Sequence, residues 1–512
     1  MDVSGGDSDQ RTRPSAARDE ALSDTLHDVA LIGLGPVGAT LANLLALRGL
    51  RVLALEREAD IYALPRAIHF DGECMRVFQT LGLADVLLPD LVVARGMRFV
   101  DAEGRLLIDW PRPQQIGPQG WHASYRFHQP MLERALRQRL LQHAAVDVRL
   151  QHEVLAIEPQ PEHVDLRLHD LAKDRPLHAR ACYVVGCDGA RSMLRRCMGS
   201  GEIDLQSHER WLVVDVILHR DKPELGDHTI QYCDPARPST YARGTGLRRR
   251  WELMLLPHED AAAMVQPAVI WALLARWITA DEAMLERPAV YTFHAVLAEG
   301  WRRDRLLIAG DAAHQTPPFM GQGLCAGIRD AASLAWKLAE VIAGRADERL
   351  LDSYESERAP HAREFIEIAV RLGAVIQARG AQAMAQRDAD LHAGPQRFAT
   401  PQPRLGPGAH AGTALSGVLS DQPRLGDGRR MDDAVGYEFS LVCDADWAAA
   451  ARQAAASSLT PIHVLAADSS PLKHWLARLG VHAVLLRPDR YIAGTATEVA
   501  ELPGLLALPW SR

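Results

Sequence analysis

Seven cysteines (Cys74, Cys182, Cys187, Cys197, Cys233, Cys325 and Cys443) are spread through 512 residues, and no two stand in a C-x-x-C pair. That spacing disfavours structural zinc and a redox dithiol, and it offers no disulfide framework. The chain therefore reads as reduced and cytoplasmic, with most thiols acting as small buried hydrophobes. No stretch approaches twenty uninterrupted apolar residues, which weighs against a membrane span. The first 26 residues mix charge with Gly and Ser but lack an apolar segment, so they read as a mobile tail rather than a secretory signal. Basic charge is not in excess: 57 Lys and Arg face 65 Asp and Glu, a net charge of −8, with no broad attraction for nucleic acid or anionic lipid. G-x-S-x-G and H-E-x-x-H are both missing, so hydrolase and metal-site readings lack support. What is present is an ordinary globular composition, 47% hydrophobic and 24% charged, at a length that favours two or three domains.

The run from Asp28 to Gly38 reads as a buried strand, a glycine turn and the start of an apolar helix over 39–48 closed by Gly49; a second strand over 51–56 follows at once. Helices are expected at 72–81 and 130–143, and alternating strands at 146–150 and 164–168. A buried strand returns near Tyr183, and 211–292 reads as sheet with one helix at 267–278. Another buried strand, 305–309, leads into Gly310-Asp311 and a long helix stopped by Gly344. After a helical stretch over 350–381 comes a Pro/Gly-rich segment and then a small α/β unit with strands near 439, 462 and 483.

Gly33-x-Gly35-x-x-Gly38 alone is a weak signal. Here it follows a strand, opens a helix, includes Pro36 and Val37, and is answered 23 residues after its first glycine by Glu56 at the end of the next strand. Missing side chains let a pyrophosphate reach the helix N-terminus, where free N–H groups and the helix dipole favour negative charge. An acid at Glu56 suits ribose hydroxyls and repels a ribose phosphate, so FAD or NAD fits better than NADP.

Two later segments narrow the choice. Cys187-Asp188-Gly189-Ala-Arg191-Ser192 and Gly310-Asp311-Ala-Ala-His314-Gln-Thr-Pro317-Pro318-Phe-Met-Gly321-Gln322-Gly323 resemble two further fingerprints of the FAD-dependent aromatic hydroxylases of the para-hydroxybenzoate hydroxylase type. With Pro65-Arg66-Ala67, Gln129 to Glu133 and Arg487 to Tyr491, the resemblance runs over residues 27–495 and is to the branch of 3-(3-hydroxyphenyl)propionate hydroxylase.

The resemblance implies an α/β fold: a Rossmann-like FAD-binding domain, an inserted mixed-sheet substrate domain and a C-terminal thioredoxin-like domain. The expected division is a tail (1–26), the first part of the FAD-binding domain with some substrate-domain strands (27–200), the substrate-binding domain (201–300), the second part of the FAD-binding domain with a helical segment (301–393), a linker (394–430) and the thioredoxin-like domain (431–512). It implies non-covalent FAD, NADH or NADPH as co-substrate, and O2, with one oxygen atom inserted ortho to a phenolic hydroxyl through a flavin hydroperoxide. Glu56 would serve the adenosine ribose, Arg66 and Gln129 the FAD phosphates, and Asp311 a ribityl hydroxyl; Arg57 and Gly310 would also belong to the cofactor site. Asp188, Gly189 and Arg191 would lie where pyrophosphate and nicotinamide donor meet. The segment Pro317 to Gly323, with Pro318, Gly321, Gln322 and Gly323, would pass beside the isoalloxazine, with the following helix aiming N–H donors at the end that becomes anionic on reduction. His69 and Tyr232 are the candidates for the proton network that favours phenolate. The expected partner is a small aromatic acid, with no nucleic acid or membrane involved and a homodimer left open. Alternatives are the same chemistry on a resorcinol, hydroxybenzoate or polyketide, or an FAD-dependent reductase without oxygen transfer. His314, Cys443 and the arginine runs at 195–196 and 248–250 read as structural or solvated.

Overall fold

The structure, a computed structural model, describes residue 22 and residues 25–62, 66–391 and 396–507. Most of the 1–26 tail, Pro65 and the first residues of the 394–430 segment lie outside them. Order reaches slightly further upstream than expected: the first strand is Leu26–Ile32, and Leu22 is buried.

Apolar runs such as 29–32 and 52–55 are buried on both faces, the pattern of strands inside a parallel sheet. Leu26–Ile32 lies between Arg175–Gly186 and Val52–Glu56, with Val29 opposite both Tyr183 and Val52. Leu306–Ile308 and Val146–Leu150 extend this parallel core on either side, and an antiparallel pair, His152–Pro159 and Val164–Asp170, joins it through Arg175–Gly186. Helix α1 (Pro36–Leu47) begins three residues earlier than the apolar pattern indicated, because Pro36 is already set for a helical first turn and Gly35 caps it in extended conformation. Helix α2 (Gly72–Thr80) starts at Asp71, whose side chain accepts from the Cys74 N–H. Helix α3 (Gln129–Leu140) packs on α1, and Asn43 Nδ2 donates to Leu136 O across that contact at 3.1 Å. A short helix, α4 (Met193–Met198), follows the strand that ends at Gly186. Helix α5 (Gly323–Ile342) is buried on nearly every side, and α6 (Asp352–Gln377) runs beside it.

A nine-stranded sheet stands against this core. Its order is His314–Gln315, Ala283–Glu299, Gly201–Leu218, Arg248–Met254, Ser239–Arg243, Thr229–Tyr232, Gly96–Val100, Leu106–Pro111 and Gln396–Arg397. It draws strands from well outside 201–300, because Gly96–Val100 pairs in parallel with Thr229–Tyr232 and Leu106–Pro111 pairs antiparallel with Gly96–Val100. A third sheet joins His69–Asp71, Ser124–Arg126 and Val92–Val93. The C-terminal unit is a four-stranded sheet ordered Ile462–Ala467, Phe439–Asp444, Ala483–Leu486 and Ile492–Ala496. No helix among the described residues is long and apolar enough to cross a membrane.

The described part of 394–430 is not a free linker. Its backbone is used by distant segments: Gly406 N donates to Glu357 O, Ala411 N to Ala493 O, and Gln422 N to Pro118 O. Proline and glycine stop regular elements there, but the hydrogen-bonding groups are still satisfied by packing.

Ion pairs without solvent fasten the C-terminal unit to α5 and α6. Arg487 bonds Glu357 at 2.8 and 2.9 Å and Asp489 at 3.0 Å, while Lys337 Nζ reaches Glu357 at 2.7 Å. Burial alone would raise the Glu357 carboxyl, but Arg487 and Lys337 overcome it and hold it down to about 2. Glu357→Ala would leave two buried cations short of a partner, so we expect a stability loss of about 3–5 kcal/mol, read as a lower urea midpoint. Leu459→Ala, at a side chain 60% exposed, should shift that midpoint by less than about 0.5 kcal/mol.

Candidate flavin and substrate site

The glycine turn is built by close approach. Gly33 N donates to Leu55 O at 2.8 Å, and its φ of +94° is one that side chains rarely adopt. A Cβ on Gly33 would stand 2.5 Å from Cys187 O, and one on Gly38 would stand 2.1 Å from Gly33 O. Gly35, Gly189 and Gly323 are different: a Cβ there would meet no protein atom within 4 Å, yet all three line one cavity. Side chains at these positions would fill the cavity rather than the protein core, so the space suits a dinucleotide laid along the backbone. Glu56 closes the mouth of the turn, accepting from Leu34 N at 2.9 Å and Glu58 N at 3.0 Å.

The segment from Gly310 to Gly323 reaches the same cavity. Gly310 N donates to Asp330 Oδ2 at 3.1 Å, and Asp330 also holds His314 at 2.6 Å and Arg358 at 3.0 Å. His314 is thus part of the support for the turn. Asp311 is exposed into the cavity with no side-chain partner among the described residues, leaving its carboxylate free to accept from a ligand hydroxyl. Pro318 and Gly321 line the wall; Gln322 is buried behind it, accepting from Arg329 Nη1 at 3.1 Å. Arg329 in turn pairs with Asp71, which caps α2, and with Glu73 in its first turn, so the flavin-side loop is braced through the protein. Asp71, Cys74 and Cys325 come within 4.8 Å of one another, but Asp71 is already spent on Arg329 and the Cys74 N–H.

From the glycine turn the cavity, about 400 Å³, runs to the face of the nine-stranded sheet, where Val213, Gln231, Thr240 and Phe293 line it. His69 stands in its wall, with Nδ1 at 3.0 Å from Gly321 O and Nε2 at 2.8 Å from Ser124 Oγ. A carbonyl only accepts, so Nδ1 carries the proton and Nε2 accepts from the serine hydroxyl. Burial, together with Arg126 and Arg112, pushes the imidazole down to about 3, which keeps it neutral. Arg126 projects from the strand Ser124–Arg126 on the same side as Ser124 and donates to Thr229 Oγ1. Arg112, stacked 4.1 Å from the Trp110 ring centroid, also lines the cavity.

The structure also separates residues that the sequence grouped. Tyr232 is not at the cavity: along Thr229–Tyr232 the alternation turns Thr229 and Gln231 inward and Tyr232 to the opposite face, where it accepts from Trp277 Nε1 at 3.0 Å. Arg57 points to solvent beside Glu58, and Arg191 is exposed away from the lining. Asp188 accepts from Met193 N at 2.6 Å and Leu194 N at 3.2 Å, tying α4 to the turn. Gln129 does line the cavity, but its Oε1 accepts from the N–H groups of Arg66 and Ala67 at 3.0 and 2.7 Å, and its Nε2 donates to Glu133. It shapes the loop that presents Arg66. Ser124, Arg126, Arg112 and Asp330 were not legible in the sequence; each gains its place from strand pairing or helix packing that no local pattern announces.

Residues 27–369 match the family described as FAD binding domain, and the chain belongs to that family. It is 36% identical over 504 residues to the probable NADH-specific resorcinol 4-hydroxylase of Rhodococcus jostii (strain RHA1), covering 93% of both chains. It is 36% identical over 532 residues to the 3-(3-hydroxy-phenyl)propionate/3-hydroxycinnamic acid hydroxylase of Mycobacterium sp. (strain JLS), covering 94% of this chain and 90% of that one. Among solved structures, the flavin-dependent monooxygenase PieE in complex with FAD and substrate superposes with a TM-score of 0.83 at 22% identity, over 95% of this chain and 99% of that one. Aklavinone-11 hydroxylase with FAD and aklavinone gives 0.79 at 23%, over 95% and 99%.

Two outcomes follow from this geometry. Gly38→Ala should abolish flavin retention, measured as FAD absorbance per protein after gel filtration, whereas Gly426→Ala, at a position where a Cβ meets nothing within 4 Å, should retain full occupancy. His69, held neutral in the folded state with its pKa lowered to about 3, takes up a proton more readily when unfolded. It therefore costs stability as pH falls from about 6.5 towards 3, by up to about 1.4 kcal/mol per pH unit. His69→Gln should flatten the fall in urea midpoint between pH 6.5 and 4; an unchanged slope would show that His69 is not buried neutral.

Proposed function

We propose that the chain is an NADH-consuming flavoprotein monooxygenase that hydroxylates a phenolic aromatic acid of the 3-(3-hydroxyphenyl)propionate class, next to its hydroxyl group. The observation that carries this reading is the single cavity joining the glycine turn and Asp311 to a half-apolar sheet face with the His69–Ser124 pair in its wall. FAD would be held by Gly33 to Gly38, Glu56, Gly189, Asp311 and the segment Pro318 to Gly323. When bound, it accepts hydride from the nicotinamide and activates dioxygen.

The protein's own contributions are positioning, dryness and proton handling. Val213, Phe293, Met320 and Leu324 keep water from the far part of the cavity, which protects reactive oxygen species from loss. Ser124 donates to His69 Nε2, so its oxygen lone pairs remain to accept a phenol hydroxyl. With so weak a base, His69 orients Ser124 rather than storing the proton, and release of the phenolic proton waits on other charges in the cavity. The α5 N-terminus, opening at Gly323, adds N–H donors where negative charge develops on reduction. This reading places the enzyme in the cytoplasm, acting on a diffusible substrate.

A resorcinol-type neutral phenol is the second reading, supported by the name of the Rhodococcus relative. One assay separates these and tests the class. The purified protein should be yellow and release FAD on acid precipitation. NADH oxidation should be slow alone and rise at least about tenfold with a cognate phenol, with one O2 consumed per hydroxylated product; a non-hydroxylatable analogue should stimulate oxidation but yield hydrogen peroxide. Such gating requires that substrate bind the reducible state more tightly than the resting one. Fast, phenol-independent oxidation with no hydroxylated product would establish a reductase instead.

A further inference from the structure

We propose that Arg126, with Arg112 beside it, is the subsite for the side-chain carboxylate of the aromatic substrate, so that this chain selects anionic phenols over neutral ones. The inference rests on the hydroxylase reading and deepens it.

Arg126 is 8% exposed, and that exposure is into the cavity. Its Nη2 donates to Thr229 Oγ1, but its Nε is buried with no partner. Among the described residues no carboxylate lies within ion-pair distance of Arg126 or Arg112. Another arginine of the cavity shows what a satisfied one looks like: Arg250 grips Asp215 through Nε at 2.7 Å and Nη2 at 2.8 Å. Glu252, the acid on the same wall, has Arg250 as its near cation at 3.9 Å, and burial pushes its carboxyl up. Burial likewise lowers Arg126 and Arg112, each to about 10, so both remain charged at neutral pH. Arg126 feels the Glu252 carboxylate only from beyond ion-pair distance; a buried guanidinium without a directly bonded counter-ion is costly in a folded protein, and part of that cost is recovered when an anion arrives. A planar fork matches a carboxylate, and Arg112, which donates to Thr400 Oγ1, adds a second positive charge in the same cavity.

Spacing supplies the rest. Ser124 and Arg126 are two residues apart on one face of a strand, roughly 6.6 Å. A phenol hydroxyl on Ser124 and an acid on Arg126 must then be separated by about a ring and a short chain. Phenolate is the other oxyanion that could meet these arginines, and the test distinguishes the two.

The experiment titrates the FAD-loaded enzyme with 3-(3-hydroxyphenyl)propionate, its primary amide and resorcinol, reading binding from the perturbation of flavin absorbance. The acid should bind about 10- to 100-fold more tightly than the amide, the range for a charge-assisted hydrogen-bonded contact. Arg126→Met should reduce the acid to the level of the amide while leaving amide and resorcinol within about threefold, and Arg126→Lys should recover part of the difference. Because the substitution removes an unpaired buried cation, the ligand-free Arg126→Met protein should melt no lower than the wild type. Equal binding of acid and amide by the wild type overturns the proposal. So does equal weakening of all three ligands in Arg126→Met, the result expected if the arginine meets phenolate or only supports the fold. Should that variant fail to hold FAD, the wild-type acid-to-amide ratio and the Arg126→Lys and Arg112→Met variants decide the matter by the same criterion. Absence of any spectral response to all phenols would overturn the hydroxylase reading itself.

Discussion

Three segments far apart in sequence meet at Val37, and the meeting is possible only because glycine faces that side chain. A Cβ at Gly310 would stand 3.0 Å from Val37 Cγ2, and one at Gly327 would stand 2.5 Å from it. On the other side of the turn Gly33 lies against Cys187 O. The strand that ends at Gly186, the turn before α1 and the N-terminal half of α5 therefore cannot be separated by even a methyl group. This contact brings the Leu26–Ile32 strand, Asp188 and Asp311 to one edge of the parallel sheet, and it makes the cavity begin at a helix N-terminus. Everything placed further along the cavity takes its position from that junction.

Rigidity at the junction would be of little use if the loop beyond it were loose. Gly321 and Gln322 are restrained from several directions: Gly321 O by His69, Gln322 by Arg329, and Arg329 by two acids at the start of α2, Asp71 and Glu73. Tyr491, from the C-terminal unit, donates to the second of those acids, Glu73, at 2.8 Å. The same unit is bolted to α5 through Arg487, Glu357 and Lys337. Its sheet lies outside the cavity, yet its ion pairs and Tyr491 act on both the helix and the loop that shape the flavin side. A buried ionic contact contributes little net stability against an apolar one but fixes one arrangement, because any shift leaves a charge unpaired. The unit also shares an apolar seam with α5, where Phe439 meets Trp336 edge-on at 5.3 Å, and the ion pairs fix the register in which that seam packs.

What was legible in the sequence follows the same division between local and long-range causes. The turn from Gly33 to Gly38, Glu56 at the end of the following strand, and the Gly310-Asp311 segment are each written in neighbouring residues, so their chemistry could be read directly. The nine-stranded sheet was only partly readable: 201–300 carries strong strand patterns, but nothing in 96–100 says that it pairs with Thr229–Tyr232. Tyr232 was misplaced by a single step of strand parity, which sends alternate side chains to opposite faces. Gln129 was read as a donor to phosphate; it lines the cavity, with its carbonyl holding the loop at Arg66 and its Nε2 donating to Glu133. The 394–430 segment was read as linker from its composition, which reports the absence of regular structure and not the absence of contacts. Arg126 and Ser124 could not have been singled out, since their importance comes from lying across the third sheet from His69.

Charge in that last group ties recognition to reactivity. His69 is depressed first by burial and then by the two arginines, so its basicity depends on whether those arginines are compensated. An anion seated on Arg126 and Arg112 would cancel part of their repulsion and raise the imidazole, while the burial contribution would remain or grow as water leaves. The neighbouring Ser124 would then accept a phenol proton toward a stronger base only when the acid end of the substrate is in place. A neutral phenol would occupy the same space without that change. If the carboxylate subsite is at Arg126, binding at one end of the ligand would be coupled to activation at the other through electrostatics, over the span of two strand residues.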